Sequence, residues 1–411
     1  MFPCILDIME TKKMNTLAFY FGHFLSICID LSEPKDNRGL VYPSGLTVFS
    51  LMLCTCAGRI GQRSKARWIY HNWPWIYAVW CAGGGRIITK NVNGISQSTI
   101  SRFKSQSLLE DFLDQMNAFH KHQFMSDYQK LVSITLEKDI RRDANPMPHY
   151  CIDGKSREGC ISEETGRTEV DLSLYNPETS SAIISFPLED KQGERSGLKD
   201  ILDHDMSELP QGIITGDAGI TSVNSTEDIS HQGHEYLLQI KGNAGKSYEE
   251  AHDIPWEKVK DAQRFDHKGH GRMEIKHLQR FDIEFIESPL NIDKYHDIAG
   301  VFRLESWIKT KQKISHSIRY YIGSSGIMSK PLSYIYHVIR QHWRIESYHW
   351  RKDKILGEDS SDEKESIASR IYSRINSFVD YIGSSIYGST KELIDRFSAA
   401  PEKMAFSSGF L

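Results

Sequence analysis

Apolar positions in the first third of the chain recur at helical spacing. Residues 17–28 form an apolar stretch with helical potential. The segment 33–43 (EPKDNRGLVYP) carries two prolines, Asn37 and Gly39, and reads as a loop. Ser44 then stands as N-cap for a helix running through Cys56. Trp68, Trp73, Trp75 and Trp80 follow close together and read as core packing, because aromatic rings dominate buried area. Residues 96–103 (SQSTISRF) place capping hydroxyls ahead of another helix. The same segment suits the start of a recognition helix, with its hydroxyls and Arg102 facing phosphates.

The pattern changes near residue 146, where Pro146 and Pro148 punctuate the chain. A strand-like run at 149–152 ends at Asp153-Gly154-Lys155, and two more runs cover 170–175 and 181–188. A helical stretch, 197–206, leads to the run 212–215, which ends at Gly216-Asp217-Ala218-Gly219. A helix over 222–231 and a strand over 236–241 complete an alternation of strands and helices, the mark of an α/β layer. Residues 255–325 hold short alternating runs such as 273–280 and 298–308, read as strands inserted before the last helices. Pro331 opens a long helical pattern through Lys354. A Ser/Asp/Glu patch at 358–366 breaks it, and a helix over 367–397 closes the domain. The expected organisation is a helical N-terminal unit, 1–145, and an α/β unit, 146–400, with a β-rich insertion at about 255–325.

Composition narrows the class. The 411 residues are 39% hydrophobic, 11% aromatic and 25% charged, ordinary globular values that leave no room for a disordered, collagenous or coiled-coil chain. No internal repeat is visible. Seven cysteines form no C-x-x-C pair, which argues against a disulfide framework or a structural zinc site and suits a reducing, cytoplasmic setting. The longest apolar candidate, 46–57, is interrupted by Thr47, Ser50 and Thr55 and is too short for a bilayer, and the opening residues lack a basic leader. No membrane association is expected. A net charge of −4 excludes a uniformly basic nucleic-acid coat but leaves room for a local basic groove.

Three acids stand out. Asp153 and Asp217 each follow an apolar β-like run and precede glycine or Ala-Gly, the strand-end position where ligands gather in α/β sheets. A strand-end aspartate alone is most often a turn residue. Glu346 lies inside an amphipathic helix with His342 and Trp350 four residues to either side, on one face. Together the three would supply hard carboxylate oxygens suited to Mg²⁺. Two such ions can activate a hydroxyl and stabilise a leaving oxygen in phosphodiester displacement.

These residues also resemble a known pattern. Residues 151–159 (CIDGKSREG) are similar to the "IDGK…RG" strand of bacterial DDE insertion-sequence transposases of the ISAs-type, H-repeat-associated family. TGDAG at 215–219 resembles the second-aspartate motif, GHEYLLQIKGN at 233–243 the "GG-DY-L-LKGNQ" strand, and KGHGRME at 268–274 the "GHGRIE" element. IRQHWRIE at 339–346 resembles the "IR-HW-IEN" helix that carries the catalytic glutamate. DNRGLVYP at 36–43 and the segment 96–103 resemble elements of the family's associated N-terminal domain. The motifs run in order from about residue 17 to about 385. The sequence departs in three places: Ser347-Tyr348 leads to His349-Trp350 one residue early, Ala244 replaces a common Gln, and of the wider group's Tyr-Arg-Glu-Lys signature only Glu346 is present.

The resemblance implies an RNase H-like catalytic domain and a transposase that cleaves DNA at transposon ends and joins the 3′-hydroxyl to target DNA. It implies Asp153, Asp217 and Glu346 as catalytic ligands of two Mg²⁺ (or Mn²⁺) ions. Double-stranded DNA would be the partner, both transposon end repeats and target, with a homodimer pairing two ends in the bacterial nucleoid. Lys155, Arg157, Lys241, His342, Arg344 and Lys352 are the candidate DNA contacts. A basic groove should pass the acids, Trp343 should be core, and the acidic patch 358–365 should be a solvated face. Three carboxylates brought together without an ion should leave one with a raised pKa. The alternatives are a domesticated nuclease that cuts without joining and a DNA-binding protein whose catalysis has decayed.

Overall fold

The computed structural model describes residues 5–33, 41–90, 92–100, 105–138, 147–162, 164–269, 271–285, 291–311, 313–360 and 366–406. Parts of four expected features lie outside them: residues 36–40 and 101–103 of the N-terminal motifs, His270, and residues 361–365 of the acidic patch.

The N-terminal pattern folds as helices α1 (Ile5–Asp30), α2 (Ser44–Cys56), α3 (Gln62–Ala82), α4 (Gln97–Ile100) and α5 (Gln106–Lys138). Pro43 caps α2, and Ser44 is its first residue. The Ser44 amide and hydroxyl donate to the Glu33 carboxylate, at 3.1 and 2.9 Å. That acid takes the place of the expected serine cap. Ser96 does cap α4, accepting from the Thr99 amide at 3.2 Å. All four tryptophans of the Trp-rich stretch are buried in one apolar cluster.

Strands β1 (His149–Ile161), β2 (Thr168–Asn176) and β3 (Ser181–Leu188) lead through helix α6 (Glu194–Asp200) to β4 (Ile213–Gly216). Helix α7 (Val223–His231), β5 (Glu235–Ile240) and helix α8 (Lys246–Asp253) follow. Strands β6 (Ala262–Gly269), β7 (Arg272–Asp282), β8 (Ile298–Lys309) and β9 (Ile314–Ser324) come next, and then α9 (Ser325–Met328) and α10 (Leu332–Lys354). All nine strands form one sheet, in the order β3-β2-β1-β4-β5-β9-β8-β7-β6. The β1–β2–β3 pairings are antiparallel, and β1, β4 and β5 are parallel neighbours. The strands of the inserted segment extend the same sheet beyond β5 through antiparallel β9.

β1 does not end at Asp153 as the sequence suggested. Antiparallel β2 continues to offer partners, Asp153 to Ser173 and Lys155 to Asp171, so the polar stretch stays extended to Ile161. Its side chains alternate between two layers. Tyr150 and Ile152 join the core that holds Leu198 of α6 and Ile229 of α7. Cys151 faces Ile345 and Tyr348 of α10. The parallel strands thus lie between α6 and α7 on one side and α10 on the other, the three-layer arrangement of α/β folds.

The last expected helix is two: α11 (Ser366–Tyr387) and α12 (Thr390–Ala399), before α13 (Pro401–Phe406). Gly388, at φ +70°, turns the chain, and the Ser389 hydroxyl accepts from the Glu392 amide to start α12. Phe378, Tyr381, Leu393 and Phe397 of these helices are buried in the same cluster as Phe21, Phe24, Leu51 and Trp80. The helical unit is therefore built from both ends of the chain. Among the described residues, no helix is long and apolar enough to cross a membrane.

Candidate active site

Parallel register sets the two aspartates side by side. Ile152 of β1 pairs with Gly216 of β4, and Asp153 and Asp217 are the residues that come next in the chain after each. β4 is only four residues long, so Asp217 heads the turn that leaves the sheet. Its Oδ1 accepts from the Gly219 amide at 2.7 Å, and Asn243 donates to the Ala218 carbonyl at 2.9 Å, fixing that turn.

Helix α10 is pinned across this point twice. His342 Nδ1 is hydrogen-bonded to Thr215 Oγ1 on β4 at 2.9 Å, and Thr215 bonds in turn to His149 Nε2 on β1 at 2.8 Å. His349 Nδ1 lies 3.4 Å from Asp153 Oδ2. Glu346 stands between these two histidines on the same helical stripe, one turn from each, with its side chain exposed.

Burial acts to raise the Asp153 carboxyl, but the His349 bond and the nearby His349, His342 and Lys191 outweigh it and hold its pKa below the ordinary value. Burial pushes His342 down, against the pull of Asp153 and Asp217. The carboxyl that is raised is one the sequence had not singled out. Glu194, on the first turn of α6, is pushed up to about 7 by burial, with Asp153 and Asp217 adding to the effect and Lys191 opposing it.

The expected DNA contacts divide sharply. Lys155, Arg157 and Lys352 are 6%, 2% and 0% exposed, which corrects their assignment as phosphate contacts. The Lys155 ammonium lies 2.7 Å from Asp353, 3.0 Å from Asp359 and 3.5 Å from Glu358. Burial works against its charge, and those three acids outweigh it and hold its pKa high. Arg157 pairs with Glu169 and lies 3.8 Å from Asp171. Lys352 donates to Ser373 Oγ at 2.6 Å and sits 3.4 Å from Glu358. Glu358 is therefore a buried counter-ion and not part of a solvated face. His342 is committed to Thr215. Lys241 and Arg344 remain exposed, with Arg344 donating to Ser180 Oγ at 3.0 Å. Trp343, expected in the core, is 43% exposed, with the Arg319 guanidinium 4.8 Å from its ring centre.

Among the described residues, no group of three His, Cys, Asp or Glu side chains already stands in metal-ligand arrangement. The donor set nevertheless fits a hard divalent ion. Asp153, Asp217 and Glu194 offer carboxylate oxygens around one strand end, and Glu194 Oε1 is buried without a hydrogen-bond partner.

No protein-family profile matches the chain. Three curated relatives from Escherichia coli do. "Putative protein YbfL" of strain K12 is 27% identical over 244 residues, 56% of this chain and 63% of that protein. "H repeat-associated putative transposase YhhI" of the same strain is 26% identical over 54% of this chain and 61% of its own length. "Putative transposase YncI" of O157:H7 is 29% identical over 54% and 58%. Each match spans about six-tenths of the relative. The solved piggyBac transposase synaptic complex with hairpin DNA aligns at 11% identity and a TM-score of 0.39, over 94% of this chain and 70% of that one. That score is too low to define the fold. Over about half its length, then, this chain is similar to proteins named as transposases.

Proposed function

We propose that this protein is a DDE-type transposase with an RNase H-like catalytic core, which cuts DNA at transposon ends and transfers the freed strand to target DNA. The observation that carries the proposal is the neighbouring pair Asp153, inside β1, and Asp217, just past the end of β4, one register step beyond Ile152 and Gly216, with the glutamate-bearing helix α10 bonded across it. Strand ends of parallel sheets are where α/β proteins bind ligands.

Asp153, Asp217 and Glu346 would hold one or two Mg²⁺ (or Mn²⁺) ions. When bound, such ions activate an attacking hydroxyl and stabilise the leaving oxygen of a phosphodiester. The protein's own part is positional. His349 favours the ionised form of Asp153, which a hard cation requires. The His149–Thr215–His342 chain fixes the register of α10, and so the position of Glu346, against β1 and β4. Double-stranded DNA would pass the site along the exposed cations Lys191, Arg195, Lys241, Lys246, Arg340 and Arg344. Transposition would bring two ends together on a dimer.

The test is Asp153→Asn on duplexes carrying the repeats that flank the gene. Cleavage should fall by at least about a thousandfold, roughly 4 kcal/mol of barrier, while end binding persists. Cleavage near the unmutated rate rejects the reading. Following the 3′-hydroxyl into a target plasmid separates a transposase from a nuclease that only cuts.

A further inference from the structure

Opposite α10, a fourth carboxylate reaches the same strand end. Glu194 begins α6, on the other face of the sheet, and is only 7% exposed. Two glycines make the space it fills. A methyl group at Gly154 would collide with Glu194 Oε1. One at Gly219 would stand 2.9 Å from Asp217 Oδ1 and 3.3 Å from Glu194 Oε2, so both oxygens border one point beside the Asp217 turn. The next residue locks this arrangement: Arg195 Nε donates to the Gly219 carbonyl at 2.9 Å. Glu194 Oε1 has no hydrogen-bond partner among the described residues, although its atom is fully enclosed.

A buried carboxylate oxygen with no donor, set among other carboxylates, is costly unless a cation completes it. The chain solves the same problem at Lys155 and Lys352 by packing acids against buried ammonium groups. Among the described residues no side chain hydrogen-bonds Glu194 Oε1, and the charge of Lys191 eases the carboxylate without offsetting its burial. We propose that Glu194 is a further ligand of the divalent cation held by Asp153 and Asp217, binding it from the α6 side of the sheet. The inference rests on the reading of the two aspartates as metal ligands. It means that three carboxylates of the sheet side would close on the ion before Glu346 of α10 takes part. Mg²⁺ and Mn²⁺ both accept such a seat and keep waters in their remaining positions.

The experiment is calorimetric titration of Mn²⁺ into the full chain without DNA, with a metal-free thermal melt of each variant. Glu194→Gln should weaken Mn²⁺ binding about tenfold or more, as Asp153→Asn does. Metal-free Glu194→Gln should melt no lower than wild type, because a mutually repelling buried carboxylate has been removed. Unchanged affinity in Glu194→Gln, beside a loss in Asp153→Asn, overturns the role of Glu194 and leaves the aspartate site intact. Wild-type protein that binds no Mn²⁺, or unchanged affinity in both variants, overturns both. If the amide variant folds poorly, Glu194→Asp keeps the charge and withdraws the oxygens by one carbon. Weaker Mn²⁺ binding at an unchanged metal-free melting temperature then supports the assignment, and unchanged binding overturns it.

Discussion

Asp153, Lys155 and Arg157 lie on one face of one strand, two residues apart, yet they belong to different electrostatic worlds. At Lys155 and Arg157 every buried cation meets acids: Asp353, Asp359 and Glu358 for the first, Glu169 and Asp171 for the second. One step along the strand, Asp153 shares its surroundings with Asp217 and Glu194, and the charged group bonded to it is a histidine that is cationic only when protonated. Charge that is balanced by the chain itself is structure, because each buried cation is already committed to its acids and is not free to act. Charge left over, at a strand end with solvent access, marks where something else binds. The same strand thus carries the proposed ligand site and the scaffold that keeps α10 and α11 seated beside it.

The largest expected effect lies among the balanced charges. Arg157→Ala leaves Glu169 and Asp171 buried without their guanidinium and should cost about 3–5 kcal/mol of stability, read from the denaturant midpoint. A loss below about 1 kcal/mol would mean that the layer is not a working ion network. On the unbalanced side, the Lys241→Glu and Arg344→Glu double variant should weaken binding to a DNA end by about tenfold for each lost phosphate contact, and should make the salt dependence shallower by about one unit for each. The fold should survive, since both side chains are exposed. An unchanged salt slope would show that DNA does not cross this face.

The smallest effect sharpens the contrast with a third case, a titratable group given no counter-charge. His120 is fully buried with neither ring nitrogen hydrogen-bonded among the described residues, and burial together with Arg374 pushes its pKa well below the ordinary value. Below about pH 6.5 the unfolded chain takes up a proton that the folded chain refuses, so stability falls as pH falls by at most about 1.4 kcal/mol per unit. His120→Phe should flatten that acid limb of a melting-temperature profile. An unaltered limb would assign the acid sensitivity to other groups.

Much of this was legible in the sequence. Asp153 and Asp217 announced themselves because apolar runs of strand length precede them, and parallel pairing then set them side by side. Glu194 was hidden in EDKQGERSG, a polar stretch in which a glutamate reads as solvated; the glycines that admit it, Gly154 and Gly219, are distant in sequence. The buried cations are not legible as such, because Lys and Arg near an acidic motif suggest phosphate. A signal for Lys352 was present all the same: it continues the stripe of Ile345, Tyr348 and His349 at helical spacing, all of them buried. Trp343 falls off that stripe, which is why it is exposed. The break at Gly388 was readable as a helix stop within the final helical pattern.

The mixed origin of the helical unit has a consequence for how the protein is made. The Tyr20 hydroxyl bonds the Tyr381 hydroxyl at 3.2 Å, 361 residues later in the chain, and the Phe21 ring meets Phe397 at 5.7 Å. At about 5–20 residues per second, the first helices leave the ribosome roughly twenty seconds to a minute before their partners exist. During that interval α3 and α5 can pack on α1 and α2, but the part of the cluster that α11 and α12 fill stays open while the sheet strands are still emerging. The sheet, with its local hairpins, is able to consolidate first; the unit that begins the chain is the one that closes last.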